Sequence, residues 1–180
     1  MNRKGVLRGL WIMLILIVDI ALDRISKNYI RHNFEYHEEI LPFKYNYHFL
    51  ITRTENTGAF LSLGDSLENP WRFMLLTLLP AAVLLFGLVY VLMKTNLHKL
   101  TVLGIVLVLA GGMGNLYDRW VYGGVTDFML IKFKWFQTGV FNVADMSIMA
   151  GVGILLVHSF LNDRKIKNKA PEGNEEKIEV

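Results

Sequence analysis

The chain has 180 residues, 53% of them apolar and only 19% charged, with a mean hydropathy of +0.34, which excludes an ordinary soluble domain and points to a small integral membrane protein. It contains no cysteine, which excludes disulfides, zinc–thiolate sites and a cysteine nucleophile. A net charge of +3 is too small to suggest nucleic acid as a partner, so what counts is where the basic residues stand.

Four apolar segments, 9–31, 73–93, 98–116 and 143–161, each approach the ~20 residues a helix needs to cross about 30 Å of hydrocarbon. The first follows Arg3, Lys4 and Arg8 in the manner of a secretory signal. It runs on into Asp19–Asp23 rather than into a small-residue cleavage site, which predicts an uncleaved span. Asp19, Asp23 and Lys27 recur every four residues, within about 80° of arc, and that face must look inward. Asp23 and Lys27 are open to two readings, a local ion pair near a helix end or the lining of a site.

Beyond this span, Tyr45, Tyr47, Phe49 and Ile51 alternate with Asn46, His48 and Thr52, the period expected of a half-buried strand. Asn56, Gly58 and Gly64 signal turns, so a small sheet is predicted over about 40–66. The second span is charge-free from Phe73 to Met93, anchored by Trp71 and Arg72 at one end and Lys94 at the other, with Pro80 as a site for a kink. The third ends in Gly111, Gly112 and Gly114, small enough to let backbones approach closely. The fourth opens at FNVAD and carries His158 near its far end as an interfacial residue. The five histidines are scattered, and no metal site is predicted. Residues 1–161 form one four-span unit; the charged tail 162–180 is predicted to be disordered.

Lysines and arginines in the N-terminus, the 94–99 connection and the tail all fall on one side of four spans, which the positive-inside rule makes cytoplasmic. The longer connections, 32–71 and 117–142, are then extracytoplasmic, although Arg119, Lys132 and Lys134 run against the bias. The expectation is therefore a mainly α membrane protein with four transmembrane helices, a small extracytoplasmic β-sheet element and both termini cytoplasmic.

The stretch from Gly111 to Asp145 carries Asp118, Asp127 and Asp145 together with Asn115, Arg119 and Asn142, all expected at the extracytoplasmic edge of the bilayer. Two carboxylates that meet at such a dehydrated edge cannot both ionise easily, so one keeps a proton while the other serves as a base. Plainer readings stand beside this one. Asp145 suits the first turn of a helix, Asp118 an ion pair with Arg119, and Asp127 a turn after Gly123-Gly124. Asn56, Asn115 and Asn142 suit caps, turns or donors to a substrate backbone, and spacing does not choose. A Ser26–Lys27 dyad is poorly supported, because neighbours on a helix point about 100° apart.

In these residues the chain resembles the lipoprotein signal peptidases, the type II signal peptidases of bacteria. The likeness runs from about residue 10 to 161. Five ordered blocks carry it: Asp23 to Lys27 (DRISK), Asn56-Thr57-Gly58-Ala59-Phe60, GGMGNLYDR at 111–119, GGVTDF at 123–128 and FNVAD at 141–145. The resemblance implies a membrane-embedded aspartic endopeptidase with Asp127 and Asp145 as the catalytic dyad. Asp23, Lys27, Asn56, Gly58, Asn115, Asp118, Arg119 and Asn142 would line or brace the site. It further implies no cofactor, diacylglyceryl-modified prolipoproteins as substrates cut just before the lipidated cysteine, membrane lipids as surroundings, and inhibition by globomycin-type compounds. The implied setting is a bacterial cell (inner) membrane protein acting as a monomer. Gly112 stands where the family usually has alanine, and residues 129–140 match none of its motifs. Two rival classes fit less well. A membrane alcohol phosphotransferase needs more aspartates for divalent metal, and a proton-conducting protein with Asp19 and Asp23 along its path lacks the interrupted repeats of transporters.

Overall fold

The computed structural model describes residues 3–37, 39–40, 48–58, 64 and 66–167. Helix α1 is Arg3–Asn33, α2 is Trp71–Met93, α3 is Lys99–Tyr122 and α4 is Val143–Lys167. Strands β1 (Glu39–Ile40), β2 (Phe49–Asn56) and β3 (Val125–Ile131) form an antiparallel sheet in that order. All four helices are long and apolar enough to span a bilayer, and the chain is a mostly helical, multi-pass membrane protein with a small sheet. Leu14, Ile17, Leu85, Phe86 and Leu156 are more than half exposed, which suits a surface solvated by lipid rather than by water.

Four boundaries differ from expectation, the first being α1, which begins at Arg3 and not at residue 9. The third helix does not stop at 116 but continues to Tyr122, because Asn115 and Asp118 turn into the bundle and are buried there. Gly123 ends it in the left-handed conformation (φ 79°), donating its N–H to the Arg119 carbonyl at 3.1 Å. Helix α4 runs to Lys167, so 162–167 are helical rather than part of a disordered tail. The strand expected at 45–52 lies at 49–56; Tyr45, Asn46, Tyr47, Ala59, Phe60 and the tail from Asn168 fall outside the described residues. Pro80 does not break α2. It follows a π-helical turn, Met74–Leu78, and its missing N–H falls where the helix changes hydrogen-bond register.

The glycines of α3 set how close α4 comes. Gly104 and Gly151 face each other: a Cβ on Gly151 would lie 2.5 Å from the Gly104 carbonyl oxygen. At Gly111 a Cβ would come within 2.2 Å of the Ala144 carbonyl oxygen, on the first turn of α4. At Gly112 it would meet only the end of the Leu84 side chain, at 2.5 Å. Backbone cannot yield as a side-chain tip can. Gly111→Ala should therefore lower stability by about 1–3 kcal/mol, and Gly112→Ala by less than about 1. Thermal unfolding of the two purified variants in detergent checks the order.

One apolar cluster, Ile12, Leu16, Val91, Val106 and Leu109 among its members, locks α1, α2 and α3 together. A second joins the sheet to the end of α1, with Ile30 packed against Phe128 and Met129. Strand β3 is buried through six of its seven residues, so the sheet caps the bundle instead of standing in water. A bulge in β2 between Ile51 and Thr54 shifts the register, from Ile51 opposite Met129 to Thr54 opposite Asp127. That offset sets where β2 delivers Asn56.

Candidate active site

Strand β3 does not form the turn expected around Asp127. It starts after the Gly123 cap and carries Asp127 as its third residue, 3% exposed, onto the opening turn of α4. Asn142, fully buried just before α4, donates its side-chain amide to Asp127 Oδ1 at 2.6 Å. Its amide oxygen accepts the Asp145 backbone N–H at 2.9 Å, and its own N–H reaches Asp145 Oδ2 at 3.1 Å. The last two bonds make a capping box, so the plain reading of Asp145 as a first-turn helix residue also holds. Asn142 thus binds both aspartates.

The remaining carboxylate oxygens have their own donors. Asn56 Nδ2 lies 3.1 Å from Asp127 Oδ2, reaching diagonally from opposite Val125, while Asn56 Oδ1 accepts the Gly58 N–H at 3.1 Å. Asn115 Nδ2 donates to Asp145 Oδ1 at 2.8 Å. Arg119 lies within electrostatic reach of Asp127 and Asp145 and donates to the Gly58 carbonyl at 3.0 Å. Burial above all, and then the charge of Asp145, push the Asp127 carboxyl from its ordinary 3.8 up to about 7, against the pull of the Asn56 and Asn142 hydrogen bonds.

The ion pair expected between Asp118 and Arg119 does not form. Successive helical residues diverge, and Asp118 faces α1 while Arg119 faces Gly58. Asp118 Oδ1 meets Arg24 at 2.5 Å and Arg31 at 2.8 Å; Oδ2 meets Lys27 at 3.1 Å. Lys27 is fully buried. Its ammonium reaches Asp23 Oδ2 at 2.9 Å, Asp118 Oδ2, and Asn115 Oδ1 at 2.9 Å, one acceptor for each of its three protons. The Asp23–Lys27 pair is therefore real, but it braces the interior and does not ease a helix end out to the surface. Asp23 also accepts the Ala144 N–H at 3.1 Å, so the first turn of α4 hangs on α1 as well as on Asn142.

Every residue expected at the site is thus part of one connected network. Sequence reasoning missed Arg24, Arg31 and Thr126. Arg24, Lys27 and Arg31 stand at helical spacing in one span, a signal that was available. Thr126 bridges Arg31 to Glu55 and gave none, because it follows from strand pairing. Ser147 donates to Asp19 at 2.5 Å. Ser26 bonds the Asp23 carbonyl at 3.0 Å and not Lys27. His158 is not isolated: its ring stacks on His98 at 4.5 Å, at the opposite end of the bundle.

Comparison with known proteins gives a consistent picture. The family described as Signal peptidase (SPase) II matches residues 14–161. The lipoprotein signal peptidase of Actinobacillus succinogenes is 34% identical over 175 residues, covering 94% of this chain and 99% of its own. That of Aquifex aeolicus is 32% identical over 159 residues, covering 88% and 91%. In three dimensions the fold resembles a bacterial membrane enzyme solved by the in meso method at 2.3 Å resolution, with a TM-score of 0.74 at 24% identity over 91% of this chain and 94% of that one.

Proposed function

The chain belongs to the signal peptidase II family, and from that premise we propose that it is an aspartic endopeptidase that releases signal peptides from diacylglyceryl-modified prolipoproteins. A peptidase removing signal peptides from prolipoproteins is what the family membership supports; the catalytic type and the bond cut are our reading. The observation that carries it is Asn142, whose side chain holds one carboxylate through Asp127 Oδ1 and whose backbone holds the other through Asp145 Oδ2.

Of two acids so held, Asp127 keeps a proton, because burial and the neighbouring Asp145 charge raise its carboxyl to about 7. Asp127, carrying that proton, donates it to the carbonyl oxygen of the scissile bond. Asp145 takes a proton from the water that attacks the carbon. The tetrahedral intermediate collapses as the amine nitrogen gains a proton from the pair, with no covalent enzyme intermediate. Arg119 holds Gly58, and through it the end of β2, beside the reacting bond. The scissile bond precedes the lipidated cysteine. The dyad lies at the sheet-bearing end of the spans, which the charge pattern makes extracytoplasmic in a bacterial inner membrane, with both termini in the cytoplasm. There the signal helix and the diacyl chains arrive sideways from the lipid. A globomycin-type inhibitor would occupy the same place. The protein acts as a monomer, and Asp118, Lys27 and Asp23 brace the dyad without touching substrate.

The test is cleavage by the purified protein in lipid, with the product identified by mass. A diacylated prolipoprotein should be cut before its modified cysteine; cleavage elsewhere, or equal cleavage of the unmodified precursor, would refute the reading.

The pH dependence has a definite sign. Asp127 holds its proton up to about pH 7, so the singly protonated pair is lost above that value and the rate falls about tenfold per pH unit. Stability moves the same way. A carboxyl whose folded value is raised favours the folded state most below its ordinary 3.8, and that contribution is lost as pH rises through about 7. A rate that climbs between pH 7 and 9 would contradict the assignment of the proton.

A further inference from the structure

A cavity of about 350 Å³ opens on the face of the sheet turned away from the dyad, lined by Arg31, Arg53, Glu55, Tyr36 and Tyr122 among others. Arg31 and Tyr122 sit in the last turns of α1 and α3, where these spans end, and Arg53 and Glu55 belong to β2 above them. The cavity therefore lies at the membrane–water boundary, and its two tyrosines, each half exposed, are the residue type that favours that level.

Its arginines are fixed before any ligand arrives. Arg31, with its side chain nine-tenths buried, donates Nε to Thr126 and Nη2 to Asp118 and lies flat on Tyr122, 3.8 Å from the ring centre. Arg53 donates Nη1 to the carbonyls of Arg31 and Phe34 and lies 4.1 Å from the centre of the Tyr36 ring. Each guanidinium also has a buried N–H that meets no acceptor among the described residues, Nη1 of Arg31 and Nε of Arg53. Buried donors are rarely left in this state, and planar guanidinium groups match phosphate oxygens well. Glu55 places a carboxylate on the same wall, with Oε1 accepting from Thr126. Two cations and one anion side by side at headgroup depth complement a phosphate joined to an ammonium.

We infer that this cavity binds the headgroup of a zwitterionic phospholipid, with the phosphate on Arg31 and Arg53 and the ethanolamine ammonium on Glu55. The site is separate from Asp127 and Asp145 and does not rest on the peptidase reading.

Full-length protein purified in detergent, incubated with phosphatidylethanolamine, phosphatidylglycerol or diacylglycerol and analysed by native mass spectrometry, tests it. Phosphatidylethanolamine should be retained at least tenfold better than diacylglycerol, and Arg53→Gln should abolish that preference. Glu55→Gln keeps the acceptor for Thr126 and removes no helix cap, so it guards against misfolding of the arginine variant. It should weaken phosphatidylethanolamine several-fold while leaving phosphatidylglycerol equal or stronger. Equal retention of diacylglycerol, or indifference of both lipids to both substitutions, would overturn the inference. Displacement of the lipid by millimolar inorganic phosphate would assign the cavity to free phosphate, and displacement by an acidic peptide would assign it to a polypeptide; either result overturns the lipid assignment.

Discussion

Asp127→Asn should reduce cleavage of a diacylated prolipoprotein by about 10³-fold or more, roughly 4 kcal/mol of transition-state stabilisation, while leaving the protein folded in the membrane. An amide at 127 can still accept from Asn142 with its oxygen, but its NH₂ then faces the Asn56 NH₂. Asn56 can turn over to accept, at the expense of the Gly58 N–H that its oxygen now serves. That exchange loses one hydrogen bond, about 1 kcal/mol. Asp145→Asn should be as inactive and clearly less stable. The NH₂ of the new residue must face either the Asn142 backbone N–H, which cannot turn, or the Asn115 NH₂. Asn115 is held in place because its oxygen already takes Lys27 and Asn142. Activity assays with thermal unfolding of the same preparations separate the effects. Residual activity above about a tenth in the Asp127 variant would remove Asp127 from the chemistry.

The parts of this protein readable in one dimension are those governed by the bilayer. An apolar run long enough to cross has few alternatives, so the four spans are placed within a few residues at most ends, and an acid inside such a run has to face protein. What composition conceals is pairing between distant segments. Strand β3 reads like any apolar stretch, and residues 129–140 match no motif, yet 125–131 supply the central ladder to β2, and Phe141 returns to pair with Met129. The three-residue offset between Asn142 and Asp145 marks a capping box in the sequence. Nothing in it says that the cap's amide would also hold a carboxylate fifteen residues upstream. Asp118 shows the same limit from the other side. Its neighbour in sequence is an arginine, but its charged partners come from α1, more than 85 residues away. Helical phase decides which way a side chain points; tertiary packing decides what it finds there.

Asp118→Asn should be the most damaging single change outside the aspartate pair, lowering stability by about 3–5 kcal/mol, the range for removing one partner from a buried ionic group. Three cations, Arg24, Lys27 and Arg31, face two carboxylates, Asp23 and Asp118, with Lys27 and Asp118 fully buried. Neutralising Asp118 leaves three positive charges against one negative around a fully buried lysine. Lys27→Met instead leaves two against two, so its stability loss should be smaller. Joining the two substitutions restores the native excess of a single positive charge, and the double variant should be more stable than the sum of the separate losses predicts. Function should respond differently. Lys27→Met removes a donor from Asn115 Oδ1, and Asn115 orients Asp145, so cleavage should fall in the Lys27 variant at temperatures where it remains fully folded. Unfolding in detergent and initial cleavage rates for the two single variants and the double supply the comparison. Additive losses would mean that these charges do not act as one cluster, and that α1 contributes only apolar packing to the site.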